Sequence, residues 1–394
     1  MPARARLVVA WLTLFVIGTD LFIVSPLLPL IAREYGVPGP AAGLSVTVFA
    51  VAYMVAAPLL GMVADRTGRR ATLLTALLAF AAANALTAVS AEFAWLLISR
   101  VAAGIAAAGV TPLIYAGVGE AAPASRRATW MAIAVSGLLM SLSLGAPAGA
   151  LLADACGWRV PILGLAMLSL LLIMANRFAW PAGKPATGIP SADTAGLDRA
   201  RLASRIAPTV LWATALYGMY TYLGVGLAAA GFDPSDVARA ISLYGIAALA
   251  GTLIGGQAAD RLGADRTILA SLFGLGACLA ALGFSLAHPA TTEAVLVLAS
   301  VAAQLFFPAQ QARLAGEFPE RRATVLAWNN SALFLGISLG SLIGGQAVAF
   351  AGFAGATAVE AAIAGAAGLL AAFLARPALR LGLRATPLAR LTAP

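Results

Sequence analysis

The sequence predicts an all-α membrane protein, with twelve transmembrane helices in two pseudo-symmetric six-helix bundles and both termini cytoplasmic. Three observations carry this prediction. Of 394 residues, 61% are hydrophobic and 10% charged, whereas soluble domains carry roughly 25% charged residues. A water-soluble fold, a disordered chain and a disulfide-stapled secreted domain are thereby excluded. Twelve apolar stretches follow one another, each near the ~20 residues needed to cross hydrocarbon with every backbone group satisfied internally. Finally, residues of the first half recur in the second at a constant offset of 195.

Span one runs over about 7–30. Arg4 and Arg6 precede it as in a signal peptide, but the stretch is too long and lacks a small-residue cleavage pattern. It also carries Asp20, Pro26 and Pro29. Spans two and three (41–63 and 71–90) are joined by a short basic turn, and span four (93–119) carries Arg100. Span five (129–152) places Gly137, Ser141, Gly145 and Gly149 four residues apart, and span six covers 160–180. Residues 181–204 contain Pro181, Pro185, Pro190 and several charges, and read as a linker between an N-terminal bundle, 1–180, and a C-terminal bundle, 205–394. Spans seven to ten cover 207–231, 237–259, 267–287 and 293–312. Span eleven (324–350) repeats Gly336, Gly340 and Gly344 on one face, and span twelve (353–375) contains Glu360. Small residues at this spacing let helices approach closely in lipid.

Loop charges orient the spans. With the N-terminus inside, 21 Lys and Arg fall on cytoplasmic segments and 3 (Arg33, Arg159 and Arg239) on the opposite side, a strong positive-inside bias. The net charge of +9 is therefore membrane-flanking charge and implies no nucleic acid. Cys156 and Cys278 stand far apart and form no metal or disulfide motif.

The repeat appears in three separate segments. Gly61, Asp65, Arg66 and Gly68 recur as Gly256, Asp260, Arg261 and Gly263. Arg126-Arg127-Ala128-Thr129 recurs as Arg321-Arg322-Ala323-Thr324, and Gly145, Gly149 and Gly157 recur as Gly340, Gly344 and Gly352. Six spans per unit return the second unit to the starting side. The halves are then related by an axis along the membrane normal, an arrangement suited to a cavity opening alternately to each face.

These residues resemble the major facilitator superfamily over nearly the whole chain. Gly61, Asp65, Arg66, Gly68, Arg69 and Arg70 match its signature between helices two and three, and Gly256, Asp260, Arg261 and Gly263 are a weaker copy in which Ala264 and Asp265 replace the basic positions. Arg100 and Gly104 are similar to its Arg-x-x-x-Gly motif. Gly145, Pro147 and Gly149 resemble the antiporter signature of helix five, with Ala146 between Gly and Pro. That departure, with Ile17-Gly18-Thr19-Asp20, is similar to the drug/sugar:proton antiporters of the sugar-efflux branch. The resemblance implies a cytoplasmic latch at 61–70 that holds the bundles together while the cavity faces outward.

Asp20, Arg100 and Glu360 are ionisable residues within spans. Such residues cost roughly 2.5–3.5 kcal/mol near a helix centre and so usually face an interior or an aqueous cavity. Asp20, about 15 Å deep at a rise of ~1.5 Å per residue, is the expected proton carrier. Arg100 is its expected partner and Glu360 a further coupling candidate.

The helices that line the cavity in the resembled family carry Tyr53, Tyr217, Tyr220, Tyr222, Gln304, Asn329, Asn330 and Ser331, which suit a mixed apolar and hydrogen-bonding ligand. No nucleotide-binding, metal-ligand or nucleophile–base pattern is present, so an enzyme and a cofactor are not expected. The reading is a monomeric inner-membrane secondary transporter, a proton-coupled exporter of a drug, sugar or metabolite whose partners are its substrate, protons and lipid. An uptake symporter or facilitator and a non-transporting membrane sensor stand as alternatives.

Overall fold

The computed structural model describes residues 2–123, 127–181, 198–318 and 322–382. The linker positions 182–197, with Arg126 and Arg321, lie outside them. Every regular element among the described residues is helical. Eleven helical stretches are long and apolar enough to cross a membrane. The last, Val325–Ala375, has 51 residues, whereas ~20 residues of helix already cover about 30 Å. It breaks at Gly352, whose φ is 67 and ψ −175, and so provides spans eleven and twelve. The twelve spans form two six-helix halves.

Backbone geometry records the duplication. Six glycines adopt positive φ among the described residues: Gly36, Gly68, Gly157, Gly231, Gly263 and Gly352. They form three pairs 195 residues apart, each at an interhelical turn where a Cβ would be strained.

Proline interrupts spans that the sequence presents as continuous. Span four consists of Phe93–Ala108 and Thr111–Ala121, because Pro112 cannot donate to the Ala108 carbonyl. Span ten breaks at the matching place, into Pro289–Gln304 and Phe306–Glu317, where Pro308 cannot donate to Gln304. In span five, Pro147 leaves the Ser143 carbonyl without its helical donor. The chain there makes one turn of π-helix, Ser141–Gly145, between Arg127–Met140 and Ala146–Cys156, a device frequent at functional sites.

Spans one and five interlock through their smallest residues. A Cβ on Gly18 would collide with Ser141 Oγ, one on Gly145 with Thr19 Oγ1, and one on Gly137 with the Trp11 carbonyl. Spans seven and eleven do the same in the second half, where Gly336 and Gly340 lie against the backbone of Val210 and Thr214.

Candidate functional site

The first span, Ala3–Tyr35, runs from what is here called the near side, which carries the Gly68 turn, to the far side, which carries the Gly36 turn. The hydrogen bonds that join the two halves among the described residues all lie toward the far side. Pro26 cannot donate to the Phe22 carbonyl, and the Tyr220 hydroxyl of the other half donates to it instead, at 3.1 Å. Ser25 Oγ donates to the Tyr220 carbonyl. The Tyr222 hydroxyl reaches both Ser341 O at 2.7 Å and Pro40 O at 3.3 Å. Ser341 Oγ donates to Gly43 O at 2.8 Å. Gly245 of span eight rests against the backbone of Leu142 and Ser143 in the π-turn, where any Cβ would collide. The halves are therefore locked together on the far side.

Beneath this closure lies an aromatic assembly. Phe22 packs on Tyr217 (ring centroids 6.5 Å) and edge-on to Tyr220 (5.8 Å). Trp212 stacks on Phe306 at 4.9 Å and donates from Nε1 to Ala303 O at 2.9 Å. Tyr53 stacks across the halves on Phe334 at 3.7 Å. A gap of only about 10 Å³ remains, lined by Leu21, Phe22, Ser25, Val46, Tyr217, Tyr220, Thr221 and Ile337. Small-molecule sites occupy roughly 300–1,000 Å³, so a drug-sized ligand needs the halves to part further.

Asp20 and Arg100 meet inside the first half. One terminal nitrogen, Nη1, donates to both carboxylate oxygens, at 2.8 and 3.0 Å. The two side chains are 0% and 3% exposed. The guanidinium also lies over the Phe49 ring, 4.6 Å from its centroid, while its Nε has no partner. Gly104, one turn beyond Arg100, makes this seat: a Cβ there would collide with the Phe49 carbonyl, holding span two off span four. The Arg-x-x-x-Gly spacing thus brings the Phe49 ring to the charge. Buried and mutually paired, the two charges are stable together and costly to separate.

Other expected site residues are placed differently. Tyr220 is buried and Tyr217 half-buried around the gap, whereas Tyr53 is buried against Phe334 and does not line it. Gln304 is buried beside Gly251 of span eight. Asn329 belongs to the interior of the second half, where its Oδ1 accepts from Thr209 Oγ1 at 2.6 Å. Asn330 is half-buried, and Ser331 Oγ bonds back along its own helix to Ala327 O. Glu360 is completely buried between spans seven and eleven. Pro147 shapes the π-turn, and Gly149 accommodates Ile23 Cδ1.

At the near side, Arg69 pairs with Glu120 and Arg70 is half-buried. Asp65 and Arg66 are helical, and their side chains lie outside the described residues. Gly61 and Gly256, where the motif suggested close approach, have no neighbour among the described residues within 4 Å of an added Cβ. Asp260 and Arg261 are exposed, and Gly68 and Gly263 make the two turns at φ 92 and 91. Asp265, standing at a lost basic position, pairs with Arg313 at 3.5 Å.

Comparison with known proteins agrees with this architecture. The Major Facilitator Superfamily profile matches residues 10–232 and 203–392. The chain belongs to this superfamily. It is 30% identical to the inner membrane transport protein YdhP of Escherichia coli K12, covering 85% of this chain and 86% of that protein. A chloramphenicol resistance protein of Streptomyces lividans is 32% identical over 62% of this chain and 64% of its own. A bacterial homologue of the human lysosomal transporter Spinster has the same fold, with a TM-score of 0.81 at 16% identity, covering 94% of this chain and 96% of that one. This superfamily member is thus a multi-pass membrane transporter and not an enzyme. Phe22, Trp212, Phe306 and Phe334 were missing from the expected site because apolar aromatics read equally as lipid-facing or core positions.

Proposed function

We propose that this transporter exports a small molecule across the inner membrane in exchange for protons, its near side and both termini facing the cytoplasm. In this reading the bundles 1–180 and 205–394, joined by 181–204, rock about the aromatic gap as a monomer. The observation that carries the proposal is the sealed Asp20–Arg100 pair. Proton uptake by Asp20 removes the negative charge that holds Arg100, while the guanidinium keeps its own. The freed cation must then find new partners, and this links protonation to helix movement. Export rather than uptake is supported by the likeness to the chloramphenicol resistance protein; the lysine and arginine asymmetry supports the sidedness.

The far-side lock corresponds to a transporter open toward the cytoplasm. The space around Gly61 and Gly256 is then closed in the opposite state, when the latch carrying Asp65 engages. Purified protein in proteoliposomes with an imposed pH gradient and chloramphenicol as the first probe tests the reading. Gradient-driven movement that Asp20→Asn abolishes supports it; unaltered gradient-driven movement in that variant rejects it.

A further inference from the structure

Glu360 holds an ionisable group that the Asp20–Arg100 mechanism does not use. Its side chain is completely buried, and neither carboxyl oxygen has a hydrogen-bond partner. It reaches between two glycines: a Cβ on Gly218 of span seven would collide with the carboxyl group, and one on Gly344 of span eleven would lie 3.0 Å from Oε1. The first half shows what this place holds otherwise. The counterparts of Gly218, Gly344 and Glu360, 195 residues earlier, are Ile23, Gly149 and Leu165. There Ile23 Cδ1 fills the hollow above Gly149, and Leu165 is buried hydrocarbon. The second half has emptied that hollow of its isoleucine and put a carboxyl group in it.

The surroundings decide which form the group takes. Tyr222, one turn from Gly218 on span seven, is the titratable group facing it. Span eleven presents Gly344 and Ser341 at this level, and Gly276 and Gly283 of span nine pack against the Ala354–Ala364 region of span twelve. On span nine, Cys278 is half-exposed and Asp265 is engaged by Arg313. No cation among the described residues pairs with Glu360. An uncompensated carboxylate there forfeits its hydration without return.

Tyr222 connects this place to the far-side lock. Gly344 borders the Glu360 carboxyl while the next residue, Gly345, borders the Tyr222 hydroxyl. That hydroxyl joins Ser341 O of its own half and Pro40 O of the other. Parting the halves at the far side withdraws Tyr222 and Ser341 from Pro40 and Gly43, beside the buried acid.

We propose that Glu360 is a second proton-binding site, in the C-terminal half, filled when the far side is closed and emptied to water when it opens. Its carboxylate takes one proton from solvent on closing and returns it on opening, with no other bond made or broken. The proposal adds a site to the alternating-access reading above and does not require Asp20 to be the carrier. Its sign is fixed: the closed form binds the extra proton, so raising the pH favours opening at the far side.

The test is electron–electron spin distance measurement on full-length protein in lipid nanodiscs. Labels go on Arg33→Cys and Ala230→Cys, in a background with Cys156 and Cys278 replaced by serine. The closed-to-open ratio should fall by up to about tenfold per pH unit across the titration. Glu360→Gln should remain mostly closed and lose this response, as should Gly218→Ile/Glu360→Leu, which rebuilds the first half's packing. Asp20→Asn should keep it. A response that survives in both Glu360 variants overturns the proposal and leaves the Asp20 reading intact. A response lost only in Asp20→Asn likewise overturns it.

Discussion

Ser25 and Tyr220 hold the same position in the two halves, 195 residues apart, and Ser25 Oγ donates to the Tyr220 carbonyl. The point of contact between spans one and seven therefore lies on the pseudo-twofold axis of the molecule. Pro26 supplies the second bond by freeing the Phe22 carbonyl for the Tyr220 hydroxyl.

Removing that hydroxyl should loosen the far side. Tyr220→Phe keeps the ring against Phe22 and loses one interaction of about 0.5–1.5 kcal/mol. The closed-to-open ratio should drop roughly two- to tenfold, as read by spin-label distances across the halves. An unchanged distribution means that the bond contributes nothing to closure.

The π-turn should tolerate no added bulk. Gly145→Ala drives a methyl into Thr19 Oγ1 and Gly18→Ala drives one into Ser141 Oγ. Each should cost about 1–3 kcal/mol by overpacking, seen as a lower melting temperature in detergent. Gly61→Ala meets open space in this state and should leave melting unchanged while slowing transport.

Arg100→Ala strands a buried carboxylate and should cost about 3–5 kcal/mol. Asp20→Asn combined with Arg100→Gln should be more stable than Arg100→Ala, because no lone charge remains. A melting series of the variants measures this. Arg100→Lys should fold yet transport poorly, since an ammonium lacks the planar surface that lies over Phe49.

Two of the near-side ion pairs should differ in strength. Arg69 and Glu120 are largely exposed, with side-chain exposures of 45% and 67%, and Glu120→Ala should change stability by less than about 1 kcal/mol. Arg313 is 4% exposed beside Asp265. Asp265→Ala should therefore lower the melting temperature by clearly more than Glu120→Ala does.

Much of this was legible in the sequence because lipid leaves few choices. Span lengths and the notice drawn by the ionisable residues Asp20, Arg100 and Glu360 follow from what hydrocarbon penalises, and the 195-residue repeat stands in the recurring turn residues themselves. The interruptions at Ala108, Ser143 and Gln304 were marked by Pro112, Pro147 and Pro308 four residues later, a signal that mean hydropathy smooths away. The inner face of each helix was not legible. Asn329 is polar yet its Oδ1 is bonded within its own half, whereas Trp212 and Phe334 are apolar yet belong to the aromatic assembly, since side-chain chemistry fixes no azimuth on a helix that is apolar all round.

The central claim is that Asp20 exchanges a proton when substrate moves. Chloramphenicol added to purified, weakly buffered protein, with solution pH followed continuously, measures it most directly. Proton release on binding in the wild type, absent in Asp20→Asn while binding persists, is the outcome expected. Equal release from both proteins would contradict the account.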